Sequence, residues 1–144
     1  TGGMQSEYAR VRTAVDRRLP TLSVVFRPHP RRIDVDESTV AGLRMGFDPL
    51  HSLEWQLARA RVVVTWASNA AVDAVAFGVP VVCLDDRSIC WDIAEHNIER
   101  IDDPREASLA ERQAFLHQLA WRQWTIEEIR AGEAWRHSWA RLQK

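Results

Sequence analysis

The 144-residue chain has few cysteines, no long apolar run and almost no net charge. Its two cysteines, Cys83 and Cys90, are too few for a zinc cage and too far apart for a CxxC pair, so two reduced thiols are expected. The formal net charge of -1 argues against non-specific binding to nucleic acid or to anionic membranes. No run approaches the ~20 apolar residues of a membrane span, and the start lacks a signal-peptide core, so a cytoplasmic location is expected.

The common catalytic motifs are also missing. The sequence has no Walker loop, GxGxxG or GxSxG pattern, and its histidines show no metal-ligand spacing. No metal and no tightly bound cofactor are therefore expected. With 46% hydrophobic and 27% charged residues, the composition fits one folded domain over residues 1–144 rather than disorder.

Tryptophan, in contrast, is abundant. Four of the seven tryptophans lie in the last quarter of the chain: Trp121, Trp124, Trp135 and Trp139. Their spacings of three and four indicate packing in a helical tail, about residues 105–144, more than stacking on nucleic-acid bases.

The first part of the chain alternates helical and strand-like patterns. Residues 5–18 have apolar residues at helical spacing, and LSVVF at 22–26 predicts a strand buried on both faces. Residues 27–48 predict a long loop with a short strand near 40–45. The Asp48–Pro49 pair predicts the N-cap and first residue of a helix of about three turns.

The middle of the chain gives the firmest indication of fold class. Residues 62–66 predict a central parallel strand, residues 71–77 predict a helix that ends at Gly78, and residues 79–84 predict the next strand. This order is typical of a parallel-sheet crossover. The sequence therefore predicts a Rossmann-like, three-layer α/β domain with a mainly parallel sheet.

Helices are predicted for the rest of the chain. Residues 88–98 predict a short helix and residues 106–124 a longer one. Thr125 opens a capping-box pattern for another helix, and Gly132 separates it from a last helical segment. Four apolar residues are predicted on the inward side of the long helix: Leu109, Phe115, Leu116 and Leu119.

Ligands of parallel α/β sheets bind at the carboxyl ends of the strands, where two loops of this chain carry polar side chains. The first loop places Arg27, His29 and Arg31 between stiffening prolines, which suits a phosphate. Prolines that merely end a strand beside solvated arginines are an equally good interpretation. The second loop offers Ser68 and Asn69 at a helix start, where phosphate binding competes with an ordinary N-cap.

Two further positions extend this candidate site. Asp73, one turn into the helix, is placed to accept hydrogen bonds from ribose hydroxyls or simply to favour the helix dipole. Ser52, next to His51, is a third possible phosphate contact, or else a packing and capping pair. No catalytic residue is assigned.

Three segments resemble the nucleotide-binding C-terminal half of a GT-B glycosyltransferase: RPHPR at 27–31, the block at 48–69 and AVDAVAFGVPVV at 71–82. The nearest resemblance is to CDP-glycerol glycerophosphotransferases, bacterial sialyltransferases and capsule β-Kdo transferases. Those families carry a His-Pro element, a Ser-containing strand-to-helix loop and a Gly-x-Pro-Val element. The matching positions here are His29-Pro30, Ser68 and Gly78–Val81.

The resemblance implies that His29 and Ser68 bind the phosphate of a CMP-, CDP- or UDP-linked sugar or polyol, with Asp73 near the ribose. Asn69 stands where several relatives have a second serine, which leaves one hydroxyl fewer for phosphate. A GT-B active site lies between two Rossmann-like domains, and 144 residues supply one. We therefore expect an N-terminal domain outside this chain, and binding without turnover by this chain alone.

Two other functions remain open from the sequence. One is a non-catalytic interaction module on the same fold, whose tryptophan-rich tail contacts a partner or a second copy. The other, half of a sugar-nucleotide epimerase, requires acid and base carboxylates that the sequence does not place.

Overall fold

The computed structural model describes residues 2–29 and 36–142. The chain divides into two units, one up to Arg112 and one from Gln113 onward. Helices alternate with short parallel strands, as expected for the α/β class, while the three-layer Rossmann arrangement and the single domain over 1–144 stay predictions. Among the described residues, no helix combines the length and the apolar character needed to cross a bilayer.

Helix α1 (Gly2–Arg18) confirms the predicted helix and begins earlier than expected. Its buried residues Val11, Ala14 and Val15 recur at helical spacing, so they form one inward stripe. They pack in the main core of the first unit, together with Leu19, Val82, Ile98 and Ile101.

Strands β1 (Val25–Phe26) and β2 (Gly46–Phe47) form a parallel pair. The backbone N–H of Asp48 donates to the Phe26 carbonyl at 3.1 Å. Because the pair is parallel, the carboxyl ends of both strands lie at the same edge, as ligand binding at such sheets requires.

Two predictions about this region are wrong. The segment 22–26 is not buried on both faces, because Val24 packs on the core while Val25 points outward and is 54% exposed. The strand expected near 40–45 lies at β2 instead. The earlier position is occupied by the end of a 3-10 helix, Glu37–Val40, and by a turn over residues 41–44.

Helix α2 (Leu53–Leu57) is shorter than the predicted three turns. Ser52, not Asp48, is its N-cap, and the Ser52 Oγ accepts the Trp55 N–H at 3.1 Å. Asp48 Oδ1 instead accepts the N–H groups of Leu50 and His51, each at 3.1 Å. An aspartate that bonds to the backbone two and three residues on favours a turn, so the helix begins later.

The predicted strand, helix and strand of the middle segment are confirmed as β3 (Val63–Thr65), α3 (Ala70–Phe77) and β4 (Val81–Cys83). β3 and β4 pair in parallel. The expectation that β3 is central is wrong for the described residues. It is β4 that has partners on both sides, because Val82 also forms a parallel bridge with Glu95.

The short helix expected after β4 is replaced by two 3-10 helices, Trp91–Ile93 and Ile98–Arg100. Glu95 lies between them, and its bridge to β4 requires extended backbone that interrupts a continuous helix. Cys83 and Cys90 are both buried and free of disulfide bonds, as expected. Burial raises the pKa of both thiols, that of Cys90 to about 12.

The C-terminal helices are α4 (Leu109–Ala120), α5 (Ile126–Arg130) and α6 (Glu133–Leu142). The predicted capping box is confirmed, since Thr125 and Glu128 bond reciprocally to each other's backbone N–H. The inward placement of Leu109 is wrong, because it is 61% exposed.

The three tryptophan side chains of the second unit that the structure describes do not form the packed tail that the sequence predicts. Trp121 is 66% and Trp135 69% exposed, while the half-buried Trp124 packs its ring 5.2 Å from that of His137. None of the described side chains from 113 to 137 is buried, because so few helices offer too little surface to cover an apolar face. The Trp139 side chain lies outside the described part.

Candidate functional site

Arg27 directly follows β1 and joins that strand to the α2 segment. Its Nη1 donates to the carbonyl oxygen of His51 at 2.6 Å and to the Gln56 Oε1 at 3.1 Å. The Gln56 side chain in turn donates to the Asp48 carbonyl at 3.2 Å. The first predicted loop and the His51–Ser52 position are therefore brought together at one strand edge.

Asp48 and His51 form a hydrogen-bonded pair beside Arg27. His51 Nδ1 lies 2.9 Å from the Asp48 Oδ2, and the imidazole stacks on the Trp55 ring with centroids 3.9 Å apart. The Gln56 side chain, followed by the backbone N–H and ring of His51, holds the pKa of Asp48 well below its usual range. The carboxylate is therefore ionised at neutral pH.

Ser52 acts as the cap of α2 in this structure. Its Oγ accepts the Trp55 N–H, and the same side chain helps to lower the pKa of Glu54, after the backbone N–H of Glu54 itself. The capping role that the sequence left open is thus present. A phosphate contact from Ser52 stays a prediction.

Ser68 and Asn69 lie at the start of α3. The Ser68 Oγ accepts the Ala70 N–H at 3.3 Å, and the Ser68 N–H donates to Thr65 Oγ1 at 3.4 Å. Asn69 is exposed, and its side chain makes no capping hydrogen bond. The helix start therefore presents an exposed amide beside a half-buried hydroxyl.

Asp73 is exposed on the first turn of α3, and it contributes to the raised pKa of Cys90, after burial and Cys83. His29 is exposed just beyond β1. Arg31 lies outside the described residues, so its predicted role stays a prediction.

The Tyr8 ring connects the two groups of candidate residues. Its centroid lies 5.1 Å from that of Phe26, the residue before Arg27, and 5.4 Å from that of Trp66, two residues before Ser68. Helix α2 also packs beside α3. The carboxyl ends of β1 and β3 therefore flank a single aromatic ring from α1.

Sequence reasoning missed three contributors to this arrangement. Tyr8 occupies an ordinary apolar position of a helical pattern, and no neighbouring residue in the sequence marks it as part of a site. The pairing of Asp48 with His51 has a weak signal, an aspartate three residues before a histidine across Pro49. Gln56 has no signal in the sequence, because its partners, Arg27 and the Asp48 carbonyl, lie outside α2.

The arrangement combines a fixed cation, an imidazole and hydroxyl and amide groups near strand ends, which is chemistry suited to an anion. Among the residues that the structure describes, no group of three histidine, cysteine or acidic side chains is placed to hold a metal ion. The chain matches no family model, no curated protein and no solved structure.

Proposed function

We propose that this chain binds a nucleotide-activated sugar or polyol through its phosphate and forms the donor-binding half of a GT-B-type transferase. The observation that carries the proposal is the bridge from Arg27 to His51 and Gln56. It holds a guanidinium at the carboxyl end of a parallel strand, next to the exposed His29.

In this proposal, each polar group has a separate task. Arg27 and His29 offset the negative charge of the phosphate, because charge-assisted hydrogen bonds to phosphate are the strongest available here. Ser68 and Asn69 add a hydroxyl and an amide at the positive end of the α3 dipole. Asp73 accepts hydrogen bonds from the ribose. Such donors stabilise the phosphate as it leaves the transferred group.

Calorimetric titration with CMP, CDP, UDP and GDP tests the proposal. We expect saturable binding of at least one nucleotide, weakened by His29→Ala by about 1–3 kcal/mol, the effect of losing a charge-assisted hydrogen bond. His117→Ala, an exposed histidine of α4, is the matched control and should leave the affinity unchanged. Equal affinities of the His29 variant and the unmodified chain would remove His29 from the site.

Failure of all four nucleotides to bind a folded sample would contradict the proposal for this chain by itself. The titration should then be repeated with the chain joined to an N-terminal GT-B domain. Binding restored in that form would show that the site needs both halves. Continued absence would leave the interaction module.

A specific observation favours that second candidate. Four apolar side chains of the second unit are more than half exposed: Trp121, Ile126, Ile129 and Trp135. Exposed aromatic side chains are enriched at protein contact surfaces. Sedimentation over a concentration series tests self-association, and a double substitution of Ile126 and Ile129 by serine should abolish it.

A further inference from the structure

We propose that Asp48 and His51 form a proton-transfer dyad, in which the His51 Nε2 is the base and Asp48 is the positioning residue. The role of this base toward an acceptor hydroxyl rests on the proposed function. The dyad itself rests on contacts among residues 27 to 56.

The hydrogen bond between the two side chains fixes the tautomer of His51. An ionised carboxylate only accepts hydrogen bonds, so Nδ1, 2.9 Å from the Asp48 Oδ2, carries the proton. The Nε2 atom of the neutral ring then holds the lone pair. The His51 side chain is 52% exposed, whereas that of Asp48 is only 19% exposed. The base is therefore accessible while its partner is shielded.

Three further contacts fix the position of the ring. The imidazole stacks on Trp55 at 3.9 Å with an interplanar angle of 16°. The His51 carbonyl accepts the hydrogen bond from Arg27, and Asp48 Oδ1 accepts the backbone N–H of His51. Capping the turn requires only the backbone bonds of Asp48. The stacking and the Nδ1 bond are additional, and they orient the imidazole as catalytic bases are oriented.

Two arginines and two carboxylates lie around the His51 imidazole. Arg27 lies on the backbone side of His51, and the Arg59 guanidinium lies 4.0 Å from the centre of the Trp55 ring. Asp48 is the carboxylate in contact with the imidazole. A second carboxylate, Glu54, lies on α2, the helix that carries Trp55. The imidazole therefore contacts a carboxylate at Nδ1 and an aromatic ring on its face, which leaves Nε2 as the ring atom open to a substrate.

His96 provides a matched control within the same chain. It stacks on Trp91 with centroids 3.6 Å apart at an angle of 4°, and it is exposed like His51. Its Nε2, however, lies 2.7 Å from the Trp91 carbonyl oxygen, which only accepts, so Nε2 carries the proton. His96 therefore has the same stacking without a carboxylate partner on its ring.

The step assigned to the dyad balances in protons and electron pairs. Nε2 takes the proton of an acceptor hydroxyl, whose oxygen forms a bond to the electrophilic atom of the donor. The bond from that atom to the nucleotide phosphate oxygen breaks, and the phosphate leaves with the electron pair. The proton then passes from Nε2 to solvent.

Acylation by diethyl pyrocarbonate at neutral pH, followed by mass spectrometry of the histidine peptides, tests the dyad without any substrate. We expect His51 to react faster than His96. Asp48→Asn keeps a side chain that can bond to the backbone of the turn but removes the charge, so it should slow His51 roughly tenfold, the lower end of what losing such a partner costs an imidazole ligand, and leave His96 unchanged. Equal rates for the two histidines, or no effect of Asp48→Asn in a folded variant, would overturn the dyad.

The same reaction in the presence of CMP, CDP, UDP or GDP separates the dyad from the donor site. Protection of His51 but not of His96 by a nucleotide would support both proposals. If His51 reacts fast and none of the four nucleotides protects it, the dyad is supported, but its place beside the bound donor is contradicted. A slow His51 in a chain that binds nucleotide would overturn the dyad and leave the proposed function standing.

Discussion

The guanidinium of Arg27 and the backbone carbonyl of His51 are joined by a 2.6 Å hydrogen bond across 24 residues of sequence. This bond fastens the residue after β1 to the turn before α2, beyond the last strand hydrogen bond, which runs from the Asp48 N–H to the Phe26 carbonyl. Arg27 thus positions His51 as well as contributing a positive charge to the candidate site.

Removing this guanidinium should therefore cost stability as well as ligand affinity. We expect Arg27→Ala to lower the free energy of unfolding by about 1.5–3 kcal/mol, the usual range for a hydrogen bond to a charged group. Urea denaturation measures it, with the exposed Arg61→Ala as control. A loss no larger than that of the Arg61 variant would show that the bond does not hold α2 in place.

Gly78 has a left-handed conformation, φ 79°, where a Cβ atom would lie 2.9 Å from Arg112 Nη1. We expect Gly78→Ala to destabilise the protein by about 1–2 kcal/mol for the backbone alone, and further for displacing Arg112, which donates to the Val75 carbonyl. Gly42 also has a positive φ, but an added Cβ would meet no atom within 4 Å, so Gly42→Ala measures the backbone cost alone. Equal losses in thermal or urea unfolding would show that Arg112 moves freely.

Glu95 should make stability depend on pH. Its burial raises the pKa, but the N–H groups of Asn97 and His96 and the Arg100 cation outweigh burial and lower the pKa below its usual value. A lowered folded-state pKa stabilises above the unfolded value, about 4.3, and this stabilisation is lost as pH falls through the folded value.

We therefore expect the free energy of unfolding to decline below about pH 5. Glu95→Gln should flatten this decline and reduce stability near pH 7, because the amide replaces an ionised acceptor of two N–H groups and an ion pair. The exposed Asp86→Asn serves as control. Unchanged acid sensitivity in the Glu95 variant would exclude this residue as the source.

Asp73 should distinguish a nucleotide from its phosphate. If its carboxylate binds the ribose, Asp73→Ala lowers the affinity for the nucleotide but not for inorganic phosphate, as measured by calorimetry. An equal loss for both ligands would contradict the ribose assignment and indicate a general electrostatic effect at the start of α3.

The sequence predicts the elements of this chain best where a local signal fixes them. The capping box at Thr125, the left-handed Gly78 and the unbroken apolar strands β3 and β4 each have such a signal within a few residues, and all are confirmed. Asp48 carries a local signal too, but an aspartate side chain is as compatible with a turn as with the start of a helix. The helix α2 therefore begins after Ser52 and not after Asp48.

The candidate site depends on contacts between distant elements, which residue patterns do not reveal. The charge of Arg27 marks it in the sequence, but its hydrogen bonds to His51 and Gln56 depend on how α2 packs. Tyr8 contacts two strand ends that are far from it in sequence. For the same reason, the sequence predicts helical spacing for Trp121 and Trp135 but leaves open whether they are packed or exposed, since spacing along a helix does not say whether a neighbour covers them.

The buried thiols of Cys83 and Cys90 are built-in probes of local unfolding around β4. With both sulfur atoms inaccessible and both pKa values raised, a thiol reagent reacts only with molecules in which the region around β4 has transiently separated. The rate of thiol labelling then measures how often this region opens in the native protein. The strand that joins β3 to Glu95 thus reports its own local stability, with no probe added to the chain.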